Sequence, residues 1–117
     1  MKTLITGGCG FVGANLIFQL LELGDFEIVV LDNESLGKRS HIEGADVTFI
    51  KGDICDESTV MAALEGVDAV VHLAADTRVM DSIENPRKNF EINVQGTFNL
   101  LSAMRAQGVT RIVNAST

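Results

Sequence analysis

The chain has 117 residues, enough for one domain with a real core and too few for two. Apolar residues make up 46% of it and charged residues 21%, which excludes a disordered polyelectrolyte, and no apolar run reaches the length of a membrane span. The net charge of −7, with no basic run, argues against nucleic acid and anionic membrane as partners, and the absence of a signal-peptide pattern makes the cytoplasm the expected compartment.

The first strand is expected at about residues 2–6, a short apolar run bounded by Thr3 and Thr6. It leads into Gly7-Gly8-Cys9-Gly10-Phe11-Val12-Gly13, which reads as G-x-G-x-x-G from Gly8 and as G-x-x-G-x-x-G from Gly7. Here glycine lets the chain turn out of the strand, leaves no Cβ between backbone and a pyrophosphate, and lets the next helix lie close to the sheet. That helix runs from Phe11 to about Leu23. Phe11, Val12, Leu16, Leu20 and Leu23 form its expected apolar stripe, and Gly24 stops it. Its N-terminus offers unpaired N–H groups and partial positive charge to phosphates.

The second strand, at about 27–31, is a continuous apolar run ending at Asp32. Asp32 stands about twenty residues beyond the turn, where a carboxylate accepts hydrogen bonds from an adenosine ribose. A polar loop, Asp32 to Ser40, follows, and a third strand at about Val47–Lys51 ends at Gly52-Asp53-Ile54. Asp56 or Ser58 is expected to cap a short helix that ends near Leu64, with Gly66 as terminator. The fourth strand, Ala69–Leu73, is closed by Ala74-Ala75. Beyond Pro86 the periodicity of Phe90, Val94, Phe98, Leu101 and Met104 predicts one helix over about 88–106, stopped by Gly108. A fifth strand at Arg111–Ala115 is followed by Ser116 and Thr117. Strands and helices alternating in this way predict a parallel, doubly wound α/β sheet with right-handed crossovers, in spatial order 3-2-1-4-5.

Several residues carry a sharp and a bland reading. His72, at the end of a buried central strand, reads as a hydrogen-bonded core histidine rather than a base. Asp53 either caps its own turn or meets a ligand, and Asp76, Thr77 and Arg78 form either a solvated loop or a substrate-facing rim. Cys9 reads as a small residue fitting the turn. Two cysteines without a matching His pair make neither a metal site nor, in this compartment, a disulfide.

The order of these motifs resembles the NAD-dependent epimerase/dehydratase group of the extended short-chain dehydrogenases/reductases, enzymes acting on nucleotide sugars through a Rossmann-like domain. The resemblance covers the whole chain. It rests on Thr6 to Gly13, Leu31-Asp32-Asn33, Gly52-Asp53-Ile54, His72-Leu73-Ala74-Ala75, Asn93-Val94-Gln95-Gly96-Thr97 and Ser116-Thr117. It implies that Gly7, Gly10 and Gly13 hold a pyrophosphate, with backbone N–H groups from Phe11 and Val12. Asp32, beside Asn33, would take the ribose hydroxyls, and Asp53 and Ile54 would bracket the adenine. Leu73, Ala74 and Ala75 would approach the nicotinamide side. Asn93 would support the site, and Thr117, or else Ser116, would hydrogen-bond the reacting sugar oxygen.

The implied cofactor is NAD. Lys38 and Arg39 suggest NADP, but Asp32 at the ribose would repel a 2′-phosphate. The chain departs from the family in containing no tyrosine, so it lacks the Tyr-x-x-x-Lys that performs acid/base work in the family. It therefore reads as an N-terminal, cofactor-binding half ending before the catalytic helix and substrate domain, and as inactive alone. A non-catalytic nucleotide-binding module is the alternative, and a methyltransferase-like domain a weaker one. The exposed edge at strand five and the helix at about 88–106 point to a homo-oligomer.

Overall fold

Neighbouring residues of a strand point to opposite faces of a sheet, so a run that is apolar throughout needs cover on both sides. Strands β1 (Lys2–Thr6) and β2 (Glu27–Asp32) are such runs. In the computed structural model, which describes residues 1–116, Leu4, Ile5 and Ile28 to Leu31 are all buried. Leu4, Val29 and Leu31 belong to one apolar cluster, and Ile5, Ile28 and Val30 to another. Strands β3 (Thr48–Lys51), β4 (Ala69–His72) and β5 (Arg111–Asn114) complete the sheet, paired in parallel in the order β3-β2-β1-β4-β5. This is the expected doubly wound order. Its direction reverses between β1 and β4, and ligands of such sheets bind at the carboxyl ends of the strands beside that reversal.

Helix α1 (Phe11–Leu23) covers one face through Ile17, flanked by half-buried Ala14, Leu16, Leu20 and Leu21. The expected stripe is corrected at its ends, because Phe11 is 86% exposed and Val12 and Leu23 are exposed as well. Gly13, not a large side chain, makes the first contact. A Cβ there would lie 2.6 Å from the Gly7 carbonyl oxygen, so the helix starts too close to the glycine turn to admit anything bulkier.

Helix α2 (Glu57–Ala63) is capped by Asp56, whose carboxylate accepts from the Ser58 and Thr59 N–H groups. The Ser58 and Thr59 hydroxyls, which also donate to it, and then those N–H bonds hold the Asp56 carboxyl below its usual range. With Val60, Ala63 and Leu64 it covers the opposite face beside α5.

The helix expected over about 88–106 runs without a break from α4 (Pro86–Phe90) through a π-helical segment (Glu91–Gln95) into α5 (Gly96–Gln107), and a short helix, α3 (Val79–Glu84), precedes it. Asn85 caps α4 and Pro86 opens it. The π turn adds a residue and so rotates α5 by roughly 100° relative to α4. The buried face of α5 is consequently Gly96, Leu100, Ala103 and Met104, while Phe90, Val94, Phe98 and Leu101 stand exposed. Of the expected stripe only Met104 lies in the core. On the far side of the sheet, Val113 of the edge strand β5 is 65% exposed, beside an open apolar hollow lined by Leu16, Leu20, Phe26, Val71 and Ile112. Among the described residues no helix is long and apolar enough to cross a membrane.

Candidate functional site

A cleft of about 400 Å³ opens over the carboxyl ends of β1, β2 and β4. Its floor is the glycine turn. Gly7 has φ +69, a conformation that glycine adopts without strain, and a Cβ there would sit 2.7 Å from the Ala74 nitrogen. Gly10 differs, since among the described residues the one atom found near its Cβ direction is the Gly7 oxygen at 3.4 Å. Gly10, Phe11 and Val12 line the cleft, and the N-terminus of α1 carries no side-chain cap and no acid in its first turn. Its leading N–H groups and dipole are thus available to an anion, and the missing side chain at Gly10 leaves room for it.

Asp32 forms the wall towards β2. It is 8% exposed, and its carboxylate accepts from the Cys9 N–H (2.9 Å, Oδ2) and the Glu34 N–H (2.7 Å, Oδ1). A carboxylate has about four acceptor positions, so two are left for hydroxyl donors. Asn33 lines the cleft while its Oδ1 accepts from the Ser35 N–H. The loop then folds back onto the glycine turn, where a Cβ on Gly37 would lie 2.1 Å from the Cys9 carbonyl oxygen. His41 Nδ1 is 2.9 Å from the same oxygen and 3.4 Å from the Lys38 N–H; the shorter contact is to a carbonyl, which only accepts, so Nδ1 donates there. Lys38 and Arg39 do not line the cleft. Arg39 stacks over the Phe49 ring at 4.7 Å, and its backbone N–H donates to Glu34, a bond that pulls the Glu34 carboxyl below its usual range.

The β4 wall is held by a chain of hydrogen bonds. Thr6 Oγ1 accepts from the Leu73 and Ala74 N–H groups (3.1 and 3.2 Å), so its own proton goes to His72 Nδ1 at 2.6 Å. Thr97 Oγ1 donates to the Asn93 carbonyl (2.7 Å) and therefore accepts from His72 Nε2–H (2.9 Å). The network closes only with neutral His72 protonated on Nε2, and burial pushes its pKa down in the same sense. His72 is structural, and it fixes the wall of the cleft. Leu73, Ala74 and Ala75 line the cleft beyond it. Asn93 lies behind this wall rather than in it, and clasps the backbone of Asp76 through bonds of 2.7 and 3.0 Å.

Asp53 and Ile54 line the end of the cleft beyond β3. Asp53 Oδ1 accepts from the Cys55 N–H, so it serves its own turn while the exposed carboxylate still faces the cleft. Ile54 is buried and meets Gly96, where a Cβ would be 2.6 Å from its Cγ2. Ser116 follows β5 and does not line the cleft; Thr117 lies outside the described residues. Burial, with the nearby Asp32 and Glu34 charges, pushes the Cys9 thiol up to about 11. Burial and Asp53 do the same to Cys55, also up to about 11, so neither thiol is a ready nucleophile. Among the described residues no cluster of His, Cys, Asp and Glu is placed to hold a metal ion. Sequence reasoning missed Gly37, Leu36 and His41, whose places in the site depend on how the loop folds back. It left Asp76 undecided.

Comparison with known proteins fits this geometry. The model of the NAD dependent epimerase/dehydratase family matches residues 3–117. A UDP-glucose 4-epimerase of Klebsiella pneumoniae is 39% identical over 99% of this chain and 88% of that protein. That of Streptomyces lividans is 42% identical over 99% of this chain but 36% of that protein. The crystal structure of Thermus thermophilus UDP-glucose 4-epimerase in complex with NAD superposes with a TM-score of 0.93 at 40% identity, covering 100% of this chain and 38% of that one. A dTDP-glucose 4,6-dehydratase from Streptomyces venezuelae, with NAD and TYD bound, gives 0.89 at 37% identity, over 96% of this chain and 38% of that one. This chain thus spans little more than a third of the length of the Streptomyces lividans and Thermus enzymes. With its glycine turn, its acid ending β2 and its sheet order, it belongs to the NAD dependent epimerase/dehydratase family.

Proposed function

We propose that this chain binds NAD across the carboxyl ends of β2, β1 and β4, and is the cofactor-binding part of a nucleotide-sugar epimerase or dehydratase. One observation carries the reading: an uncapped helix N-terminus, a glycine whose side-chain direction is open, and a buried carboxylate with spare acceptor positions face one cleft. The N–H groups of Phe11 and Val12 would hold the pyrophosphate, with Gly7, Gly10 and Gly13 admitting it. Asp32 would accept the ribose hydroxyls, with Asn33 beside it. Asp53 and Ile54 would flank the adenine. Leu73, Ala74 and Ala75 would face the nicotinamide half, with Asn93 bracing that wall from behind. Bound there, NAD supplies hydride transfer to and from a sugar carbon. The NAD-bound Thermus epimerase and Streptomyces dehydratase support this choice of cofactor and substrate class.

Acid/base work on the sugar needs a group these 117 residues do not offer. There is no tyrosine, His72 is tied at both ring nitrogens, and both thiols are held protonated. Ser116 or Thr117 would at most orient the sugar oxygen. The chain alone is accordingly a nucleotide-binding unit without turnover. Calorimetric titration with NAD and NADP, together with an assay for UDP-glucose turnover, tests this. NAD should bind more tightly than NADP, because the Asp32 carboxylate repels a 2′-phosphate, and no sugar should be turned over. Equal affinities, or turnover by the purified chain, would contradict the reading.

The apolar face of Phe90, Val94, Phe98 and Leu101, and the β5 edge, support association of the chain with a second copy of itself. A two-fold dimer is the simplest closed form.

A further inference from the structure

Two buried carboxylates lie on the walls of the cleft, and they are treated differently. Asp32 receives two backbone N–H donors. Asp76 is 7% exposed, and its Oδ2, sealed from solvent, has no hydrogen-bond partner among the described residues. Its backbone, by contrast, is fixed at both polar groups. Its N–H donates to Asn93 Oδ1 (2.7 Å), and its carbonyl accepts from Asn93 Nδ2 (3.0 Å) and Asn89 Nδ2 (3.3 Å). Asn93 is in turn tied through its carbonyl to Thr97, and through Thr97 to His72 and β1. The π turn carries Asn93, and such turns recur at functional sites.

The cations nearby do not satisfy the carboxylate. Arg78 pairs with Asp81 at 2.7 Å, and Lys88, which lines the same cleft, is in neither ion pair of the described residues. A buried charge without a donor is strongly unfavourable, and a fold that clamps the backbone of such a residue holds its side chain ready for a partner from outside.

The geometry points to Asp76 as an acceptor for a ligand hydroxyl at the β4 end of the cleft. Asp76 lines the cleft next to Ala75, and its Oδ2 is the carboxylate oxygen left without a donor. This rests on the reading that the cleft takes NAD. It adds a specificity-determining contact at the end opposite Asp53. The hydroxyl belongs either to the cofactor's ribose at the nicotinamide end or to the sugar of the nucleotide-sugar substrate.

Calorimetry on the 117-residue chain, with Asp76→Asn and Asp76→Ala beside it, decides the matter using AMP, NAD, and UDP-glucose added to NAD-loaded protein. AMP, which reaches only the adenosine end, should bind both variants as it binds the parent. A loss of NAD affinity greater than about threefold in both variants assigns the hydroxyl to the cofactor, a charge-assisted bond being worth tenfold or more. Unchanged NAD affinity with a similar loss for UDP-glucose assigns it to the sugar. Asp76→Asn should unfold no earlier than the parent without ligand, since no bond of the folded chain is removed. NAD affinity within about threefold in both variants, with UDP-glucose either also within that margin or not binding the parent, overturns the inference, the margin being set by the same bond strength. Failure of the parent to bind AMP and NAD overturns the proposed function along with it.

Discussion

Asp32 serves the fold with one carboxylate and keeps acceptor positions for the proposed ligand. Its bonds to the Cys9 and Glu34 N–H groups fix the glycine turn and the following loop, and the remaining acceptor positions face the cleft. Asp32→Ala should weaken NAD binding by roughly 1.5–3 kcal/mol, the range for a hydrogen bond to a charged group, as read by calorimetry. It should also lower Tm, because two backbone donors lose their acceptor. His72 yields a prediction of a different kind. Burial holds its pKa in the folded chain below the ordinary value of 6.5, so between those two values the unfolded chain binds more protons. Stability should therefore be full above pH 6.5, fall as the pH drops through that window, and level off below the folded pKa. Denaturant titrations of His72→Gln should lack this segment of the pH dependence. The lowered carboxyl groups of Asp56 and Glu34 act in a separate, more acidic window, where their contribution is lost as pH falls through their folded pKa values.

At this scale the sequence showed positions more readily than partners. An acid ending an apolar strand marks Asp32, and a histidine in a central strand reads as structural. The atoms that complete each are brought by the fold: Thr6 and Thr97 meet His72 from 66 and 25 residues away.

Elements were legible wherever both faces had to be covered. The apolar runs of β1 and β2, the Gly24 and Gly108 stops and the Asp56 cap all fall where the residue types place them. The extent of the long helix was legible as well, but its buried face was not, because an apolar stripe records periodicity and not which face meets the core. The π turn between α4 and α5 leaves Phe90, Val94 and Phe98 outside, and Gly96 inside against Ile54. Helix α1 shows the same limit at Phe11, which lines the cleft but is largely exposed. Two substitutions separate the true inner face from the apparent one. Ile17→Ala, in the fully buried core beneath α1, should cost about 2–4 kcal/mol in denaturant unfolding. Phe11→Ala, at a largely exposed site, should cost within about 0.5 kcal/mol. Gly37→Ala tests the loop that folds back on the turn. A Cβ 2.1 Å from the Cys9 oxygen must displace one backbone from the other, so NAD affinity should fall even where the chain stays folded.

Across the whole molecule, one layer of the sheet is closed and the other is not. The β4–β5 end keeps an apolar hollow beside α1, β5 is an edge strand, and Phe90, Val94, Phe98 and Leu101 present a second apolar face. The sheet order and the cleft follow from the alternation of elements, and were readable before the fold was seen. The shape of the exposed surfaces was not, since it depends on the π turn and on what covers β5. If the α4–α5 face joins two copies, sedimentation should show a dimer that Phe98→Glu converts to monomer. A parent chain that sediments as a monomer at high concentration would contradict that association.

The glycine turn, the α1 N-terminus and Asp32 together form a dinucleotide site if the proposed function holds. The most direct measurement of this tracks backbone amide shifts of the 117-residue chain as NAD is added. Saturable shifts are expected at Gly7 to Gly13 and at Asp32, with the β5 amides unmoved. Silence at those residues in millimolar NAD, or shifts confined to the exposed α5 face, would contradict the assignment.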